Sequence, residues 1–258
     1  MIVKQAANVL DLLEYFSQNQ RVASLAEISH DLGWPRSSAF NLISTLIKRG
    51  FLYEPKPRGG FYPTPRWLAL ANEIAIANPL PEQATNLIED LAQLTGETVW
   101  IAAPNGQQAV LLAVIPSTHP IRYIADAGKQ VPIHLTSSGQ ATMSQMSLQH
   151  IAAILKKASF IRYGDGTPMS VPEVEKKIAD ALRRGWFCSA SAYSKDLGGV
   201  SVPLTIDGSI YSVTVAGPLF RVGSQMPDIA RMVHAAIARH FGPDYMRSQL
   251  PNLHRLST

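Results

Sequence analysis

Apolar residues within the first fifty positions recur every three or four residues, which is the spacing of amphipathic helices. The pattern predicts a first helix over residues 4–18. Ser24 and, three positions later, Glu27 match a capping box, so a second helix is expected to begin near residue 25. Gly33 is expected to end it, because glycine readily adopts the left-handed conformation of a helix end.

A third helix is predicted from Pro35, which suits a first helical turn, to Arg49, with Gly50 as its stop. Its inward side is expected to hold six apolar residues: Ala39, Phe40, Leu42, Ile43, Leu46 and Ile47. Polar residues recur on the opposite side: Ser37, Asn41, Ser44 and Lys48, flanked by Arg36, Ser38 and Thr45. Short hydroxyl and amide side chains approach base edges closely, and no carboxylate lies between residues 36 and 49 to repel phosphates. We therefore expect a DNA-binding helix-turn-helix.

Two aromatic segments, residues 51–54 and 61–63, enclose a turn rich in proline, glycine and basic residues and predict a β-hairpin. Lys56 and Arg58 fall at its tip, within reach of phosphates or a minor groove. Six basic residues and one acid lie between residues 36 and 66, whereas 15 basic and 13 acidic residues follow residue 76. The helices alone also fit a generic three-helix bundle. The hairpin and the concentrated positive charge favour a winged helix-turn-helix that binds double-stranded DNA.

An apolar helix is predicted over residues 67–78, and the Pro-Leu-Pro sequence after it marks a domain boundary. The expected organisation is a DNA-binding domain at 1–65, a linker helix and hinge at 66–81, an effector-binding domain at 82–247 and a tail at 248–258. The linker helix and hinge are expected to transmit ligand binding to the DNA-binding domain, or to serve in dimerisation alone.

Beyond residue 81, helical and strand patterns alternate. Helices are predicted over residues 82–95, 171–184 and 227–241, and within 134–155 from a Thr/Ser cluster onward. Strands are predicted over residues 98–103, 109–115, 121–125, 186–193, 200–206 and 210–218, with turns at Asn105-Gly106 and Asp207-Gly208. The expected fold class is α+β, an antiparallel sheet with helices packed against it.

Composition and motifs argue against an enzyme or a membrane protein. No signal peptide is expected, because the first residues lead into an amphipathic pattern. The 258 residues contain no apolar run near the roughly 20 residues of a membrane span, and the lone Cys188 forms no disulfide framework within one chain. A cytoplasmic protein without a membrane partner is expected. The seven histidines form no H-x-x-x-H pair, and no G-x-S-x-G or G-x-x-x-x-G-K-[ST] motif occurs. No catalytic residue, cofactor or metal site is predicted, and Cys188 is expected to be a buried small apolar residue.

The whole chain resembles the IclR-type bacterial transcriptional regulators. The segments that carry the resemblance include LIEDLAQLTGETVWIA from Leu87, ADAGKQVPIHLTSSGQA from Ala125 and VTVAGPLFRV from Val213. The resemblance implies a winged helix-turn-helix, a linker helix and a GAF-like effector-binding domain. It also implies dimers, or dimers of dimers, on palindromic operators, with both repressors and activators in the family. Many relatives carry arginine at the position of Asn41, which implies a different operator sequence here.

The resemblance further implies an effector pocket. In relatives with known ligands, the positions matching Ser137 and Ser138 give backbone N–H groups to a carboxylate; without the resemblance, this Thr/Ser cluster fits a simple helix cap equally well. Ser189, Gly199 and Ala216 lie where acid-binding relatives have more polar groups, so a roomier and less polar pocket is expected.

Trp100 is expected to be an aromatic wall of this pocket or, alternatively, part of the ordinary core. The predicted effector-binding residues are Trp100, Ile133, Leu135, Ser137, Ser138, Ser189, Gly199, Val200, Thr214 and Ala216. The expected effector is an organic acid with one carboxylate and an apolar or aromatic body, acting on a regulator of a catabolic operon. A ligand-binding protein that no longer binds DNA is the remaining alternative.

Overall fold

The computed structural model describes residues 2–77 and 80–245. The chain divides into two compact units, one ending at residue 79 and one beginning at residue 80. The predicted tail at 248–258 and two residues of the predicted linker and hinge, Asn78 and Pro79, lie outside the described residues. Among the helices that are described, none is long and apolar enough to cross a membrane.

The first unit contains the predicted winged helix-turn-helix elements. They are α1 (Lys4–Asn19), α2 (Leu25–Asp31), α3 (Arg36–Lys48), β1 (Leu52–Tyr53), β2 (Tyr62–Pro63) and α4 (Arg66–Ala77). Its core joins buried side chains from α1, α2, α3 and β1, among them Leu12, Phe16, Ile28, Ile43 and Leu52. Pro35 is the residue just before α3 and not its first residue. The edges of this unit otherwise agree with the sequence pattern to within about two residues, which is the usual uncertainty of helix ends.

The predicted inward side of α3 is narrower than the sequence pattern indicated. Ala39, Ile43 and Leu46 are buried, at the i, i+4, i+7 spacing of a single stripe. Phe40 and Ile47 each follow a buried residue by one position, which rotates them about 100° away from the core. Phe40 is 57% exposed and Ile47 38% exposed, so their assignment to the inward side was wrong.

The second unit is built on a six-stranded antiparallel sheet. Its elements are α5 (Glu82–Thr95), β3 (Thr98–Asn105), β4 (Gln108–Ile115), β5 (Gln130–Pro132), α6 (Ser137–Met143), α7 (Leu148–Leu155), α8 (Val171–Arg184), β6 (Phe187–Ala190), β7 (Leu197–Ile206), β8 (Ser209–Pro218), α9 (Leu219–Val222) and α10 (Met226–Phe241). The strand order is β5-β4-β3-β8-β7-β6. One face packs against α5 and α10, and the other against α6, α7 and α8. The α+β fold class is confirmed.

Three predicted elements of this unit differ from the structure. Residues 121–125 form no strand, and β5 takes the sheet edge instead. The carbonyl of Tyr123 accepts a hydrogen bond from Thr98 Oγ1 at 2.6 Å, and that of Ile121 accepts one from Arg221 at 3.0 Å, so side chains replace a strand partner. The predicted helix within 134–155 is two helices, because Ser147 caps a separate α7. The strand predicted over 186–193 ends at Ala190.

Turn chemistry agrees closely with the sequence. Asp207 and Gly208 both have positive φ angles, 49° and 78°, as a two-residue hairpin of type I′ requires. Asn105 pairs with Gln108, so the first hairpin turns at Gly106 and the residue after it, one position later than predicted. Cys188 is half-buried and packs beside the cluster under α5 and α10, so the expectation of a buried cysteine was wrong.

Candidate nucleic-acid interface and effector pocket

The start of α2 is fixed by the predicted capping box. Ser24 Oγ accepts the backbone N–H of Glu27, and the carboxylate of Glu27 accepts the backbone N–H of Ser24 at 2.8 Å. The Glu27 carboxylate also accepts a hydrogen bond from Arg21 at 2.8 Å. The Ser24 N–H bond, with the Arg21 contact next, lowers the pKa of Glu27 to about 2. The cap is therefore ionised and intact at neutral pH.

The turn between α2 and α3 is held by hydrogen bonds across it. Ser29 Oγ donates to the carbonyl of Trp34 at 2.7 Å, and the N–H of Trp34 donates to the carbonyl of Ser29 at 2.9 Å. Gly33 has a φ of +64°, a conformation that favours glycine. Tyr15 on α1 donates to Asp31 at the end of α2 at 3.0 Å. These bonds fix the orientation of α3 relative to the rest of the first unit.

The polar side of α3 is available for an intermolecular partner. Ser37, Ser38 and Asn41 are exposed and Ser44 is half-buried, and their side chains form no hydrogen bond with any described residue. Thr45 donates its hydroxyl to the carbonyl of Asn41 at 2.7 Å, which leaves only its lone pairs for a partner. Two exposed cations, Arg36 and Lys48, lie at the two ends of the same helix without an ion pair to the described residues.

The wing is anchored to the helix-turn-helix by backbone bonds. Ala23 and Phe61 exchange N–H···O bonds of 3.1 and 2.8 Å, an additional bridge that sequence reasoning missed. Gly60 permits this approach, because a Cβ at its position would lie 2.7 Å from the Ala23 backbone. Lys56 and Arg58 are exposed at the wing tip. Their charges therefore project from a positioned hairpin.

Glu54, the one acid of this basic region, has an internal role. Its carboxylate accepts the backbone N–H of Arg58 at 2.6 Å and so closes the wing turn, where Arg58 has a φ of +59°. The carboxylate of Glu54 is therefore held within the wing turn.

In the second unit, α6 begins inside the fold, with Ser137 and Ser138 both buried. Thr136 Oγ1 caps the helix by accepting the N–H of Gly139 at 3.1 Å. The backbone N–H groups of Ser137 and Ser138 have no hydrogen-bond acceptor within residues 2–77 and 80–245. Gly139 is needed here, since a Cβ would lie 2.1 Å from the carbonyl oxygen of Ile133.

A chain of hydroxyl groups links α6 to the sheet. Ser137 Oγ accepts hydrogen bonds from Ser201 Oγ at 2.9 Å and from Ser189 Oγ at 3.3 Å. Ser201 Oγ also shares a bond of 2.7 Å with Thr214 Oγ1. These three partners lie on β6, β7 and β8, so one helix end is bound to three strands. Thr214 therefore helps to hold the start of α6 against the sheet through Ser201.

A cavity lies between the start of α6 and the sheet. Six predicted effector-binding residues line it: Trp100, Ser137, Ser138, Ser189, Gly199 and Ala216. Sequence reasoning missed seven further lining residues: Leu111, Tyr123, Val131, Thr136, Tyr193, Leu197 and Gly198. Val131 was not identified as a pocket residue because its strand, β5, was not predicted. Leu111 faces the cavity in a strand that was predicted, so strand alternation was a usable signal for it.

The other four predicted pocket residues lie beside or away from the cavity. Ile133 and Leu135 are fully buried next to α6, and Thr214 belongs to the hydroxyl chain. Val200 packs on the opposite face of the sheet, under α5 and α10, because it alternates with Gly199 along β7.

The cavity has a volume of about 20 Å³, close to the space of one water molecule. The expectation of a pocket roomier than that of acid-binding relatives stays a prediction. Three aromatic residues, Trp100, Tyr123 and Tyr193, line it, and the first two rings lie 5.9 Å apart. Lys129 Nζ lies 4.9 Å from the centre of the Tyr123 ring and donates to its hydroxyl at 3.1 Å.

Trp100 Nε1 is buried and has no hydrogen-bond partner among the described residues. An unsatisfied buried donor costs on the order of 1–3 kcal/mol, so this N–H favours a bound acceptor. His134 does not line the cavity; it packs edge-on against Phe160 at 5.1 Å. Burial lowers the pKa of His134, so its ring is neutral at pH 7.

A buried ion pair holds the loop that carries Tyr123. The Glu97 carboxylate, only 3% exposed, is paired with the guanidinium of Arg221 through Nε and, at 2.8 Å, through Nη2. Arg221 also donates to the carbonyl of Ile121 at 3.0 Å. The pair thus connects β3, α9 and one wall of the cavity.

The family model for the bacterial transcriptional regulator IclR C-terminal domain matches residues 75–240, and that for the IclR helix-turn-helix domain matches residues 5–55. The HTH-type transcriptional repressor AllR of Escherichia coli K12 is 23% identical over 244 residues, covering 88% of this chain and 87% of AllR.

Two solved structures share the fold. The Thermotoga maritima IclR has a TM-score of 0.76 at 16% identity, covering 93% of this chain and 99% of that one. An IclR homologue from Microbacterium hydrocarbonoxydans, complexed with 4-hydroxybenzoate, has a TM-score of 0.71 at 21% identity, covering 92% and 98%. At these identities the likeness shows the fold alone.

Proposed function

Because the chain belongs to the IclR family of bacterial DNA-binding transcriptional regulators, we propose that the cavity beside α6 binds the effector that controls its operator binding. The family is one of regulators and not of enzymes. The effector we propose is an organic acid with one carboxylate and an apolar or aromatic body, and the regulated genes form a catabolic operon. The observation that carries the proposal is one cavity lined both by residues whose backbone N–H groups lack acceptors among the described residues and by aromatic rings.

The carboxylate is proposed to bind at the start of α6. The N–H groups of Ser137 and Ser138 lack acceptors, and the positive end of a helix dipole favours an anion. Hydrogen bonds to a carboxylate are roughly twice as strong as neutral ones. The 4-hydroxybenzoate bound to the Microbacterium homologue is an acid of this class, and that likeness supports the proposal.

The body of the effector is proposed to lie between Trp100, Tyr123 and Tyr193. A polar acceptor on it, such as a hydroxyl or carbonyl oxygen, would satisfy the buried Trp100 N–H. An aromatic ring exceeds a cavity of about 20 Å³, so binding requires a ring to move. Tyr123 and Tyr193 both lie in loops between strands and not in the sheet ladder, so we expect one of these two rings to move.

The first unit is proposed to bind operator DNA with α3 in the major groove and the wing on phosphates or a minor groove. The proposed contacts are Arg36, Ser37, Ser38, Asn41, Ser44, Thr45, Lys48, Lys56 and Arg58. We propose a DNA-binding domain at 1–65, a linker and hinge at 66–81, an effector-binding domain at 82–247 and a tail at 248–258. Dimers or dimers of dimers are proposed to bind palindromic operators. The effector is proposed to bind one of two arrangements of the DNA-binding domains more tightly than the other. Effector binding then favours that arrangement and so changes the affinity for the operator.

Titration calorimetry and thermal shift with benzoate, 4-hydroxybenzoate, 4-hydroxybenzamide, pyruvate and glyoxylate test the effector class. We expect binding and stabilisation by the aromatic acids and none by the neutral amide. Trp100→Phe removes the N–H donor and also part of the ring. The lost ring contact should weaken both acids, and the lost donor should weaken 4-hydroxybenzoate further, because only its hydroxyl offers an acceptor on the ring. Trp186→Phe, on the other face of the sheet, is the matched control. Stabilisation by glyoxylate or pyruvate alone would overturn the proposal.

A further inference from the structure

Phe40 is an exposed aromatic side chain on the helix that we propose for the major groove. It is 57% exposed, while Ala39 before it is fully buried. Ser37 and Ser44, three residues before and four after, share its side of α3, and Asn41 follows it directly. A large aromatic group exposed among short polar ones gains free energy from any partner that withdraws it from water.

The surroundings of Phe40 select the kind of partner. Arg36 and Lys48 lie at the ends of α3 without ion pairs to described residues, and α3 contains no carboxylate. A cationic, acid-free surface is complementary to a polyanion. Among the base edges in the major groove of DNA, thymine alone presents a methyl group, and a phenylalanine ring makes apolar contact with it.

We propose that Phe40 contacts a thymine methyl group in each operator half-site and so helps to determine the operator sequence. This inference rests on the proposed placement of α3 in the major groove. Asn41, its neighbour, would read an adjacent base edge by hydrogen bonds, so the two residues specify different features of the half-site. Removal of the ring should relax the preference for one thymine and leave contacts to phosphates in place.

The test begins with selection of operators from a random duplex pool by the full chain. Each thymine of the selected half-site is then replaced by deoxyuridine, which removes only the methyl group, and affinity is measured by fluorescence anisotropy. We expect one position at which the wild type binds the deoxyuridine duplex about fourfold more weakly, the effect of exposing one methyl group. Phe40→Ala should bind both duplexes equally at that position.

Two further variants control the measurement. Phe40→Leu keeps an apolar side chain and should retain part of the methyl preference. Phe220→Ala removes a phenylalanine that is 73% exposed in the second unit, and should retain all of it. Any of three results would overturn the inference. The selected half-site could contain no thymine, the wild type could bind every deoxyuridine duplex as tightly as the thymine duplex, or Phe40→Ala could lose as much affinity as the wild type on replacement of the thymine. Failure to select any sequence would instead overturn the proposed DNA-binding function.

Discussion

Removal of the guanidinium of Arg221 should destabilise the second unit markedly. Arg221→Met preserves much of the side-chain volume but leaves Glu97 charged, with a side chain 4% exposed. Loss of one partner of a buried pair costs about 3–5 kcal/mol. The Arg221 side chain is 24% exposed, so water already screens part of the interaction, and we expect the lower end, about 3 kcal/mol.

A loss of about 3 kcal/mol corresponds to a fall in Tm of roughly 6–12 °C for a domain of this size. Urea titration at constant m-value measures the change in unfolding free energy directly. Arg231→Met is the matched control, because Arg231 forms an exposed ion pair with Asp228 and its side chain is 78% exposed. That control should cost below about 0.5 kcal/mol.

The double variant Glu97→Gln/Arg221→Met separates charge burial from packing. The neutral amide that replaces the Glu97 carboxylate would leave no unpaired charge. The double variant should therefore regain more than half of the unfolding free energy that Arg221→Met loses. An Arg221→Met variant no less stable than Arg231→Met would refute the assignment of a stabilising buried pair. An unrelieved loss in the double variant would show that packing around Arg221, and not the buried charge, carries the effect.

Three further variants test the DNA-binding surface and the buried histidine. Asn41→Ala should weaken operator binding at one base position by about 1–3 kcal/mol in a competition assay with base-substituted duplexes, and an unchanged preference would contradict our orientation of α3. Lys56→Ala should weaken all sequences alike and reduce the slope of log K against log salt by about 1, whereas Lys176→Ala on α8 should change neither. Burial lowers the pKa of His134 below its ordinary 6.5, so the unfolded state binds the proton more tightly and stability falls as the pH drops below about 6.5. His134→Gln should lose less stability between pH 7.5 and 5.5 in urea titrations than the wild type, and equal losses would show that His134 contributes nothing to the pH dependence.

Local signals in the sequence were sufficient for much of the fold. The capping box at Ser24, the glycine after α8 and the Asp207-Gly208 turn each determine a helix end or a hairpin through bonds between near neighbours. Such features depend little on distant parts of the chain, which is why their positions agree with the structure.

The wrong predictions concern segments whose conformation or burial depends on residues distant in the sequence. The segment around Tyr123 alternates like a strand, but its carbonyls are taken by Thr98 and Arg221, residues far along the chain. Phe40 matched a broad apolar stripe, and only the packed core shows that the stripe is narrow. The periodicity of apolar residues shows which side of a helix faces the core, but it does not show how many residues on that side are buried.

The pocket was predictable in part. The resemblance to the IclR family and the Thr/Ser cluster indicated Ser137, Ser138, Ser189, Gly199 and Ala216 as pocket residues, and all five line one cavity. Trp100 was among the predicted pocket residues, whereas the rings of Tyr123 and Tyr193 were not, because both lie in loops whose course depends on distant residues. The alternation of β7 did contain the signal that separates Gly199 from Val200.

The most direct test of the central claim is the affinity of the full chain for its selected operator across concentrations of aromatic monocarboxylates, by fluorescence anisotropy. The account predicts that at least one such acid changes the operator Kd by roughly 5- to 150-fold and saturates, and that the change is reduced in Trp100→Phe. An operator affinity unaffected by every aromatic acid, but changed by pyruvate or glyoxylate, would contradict it.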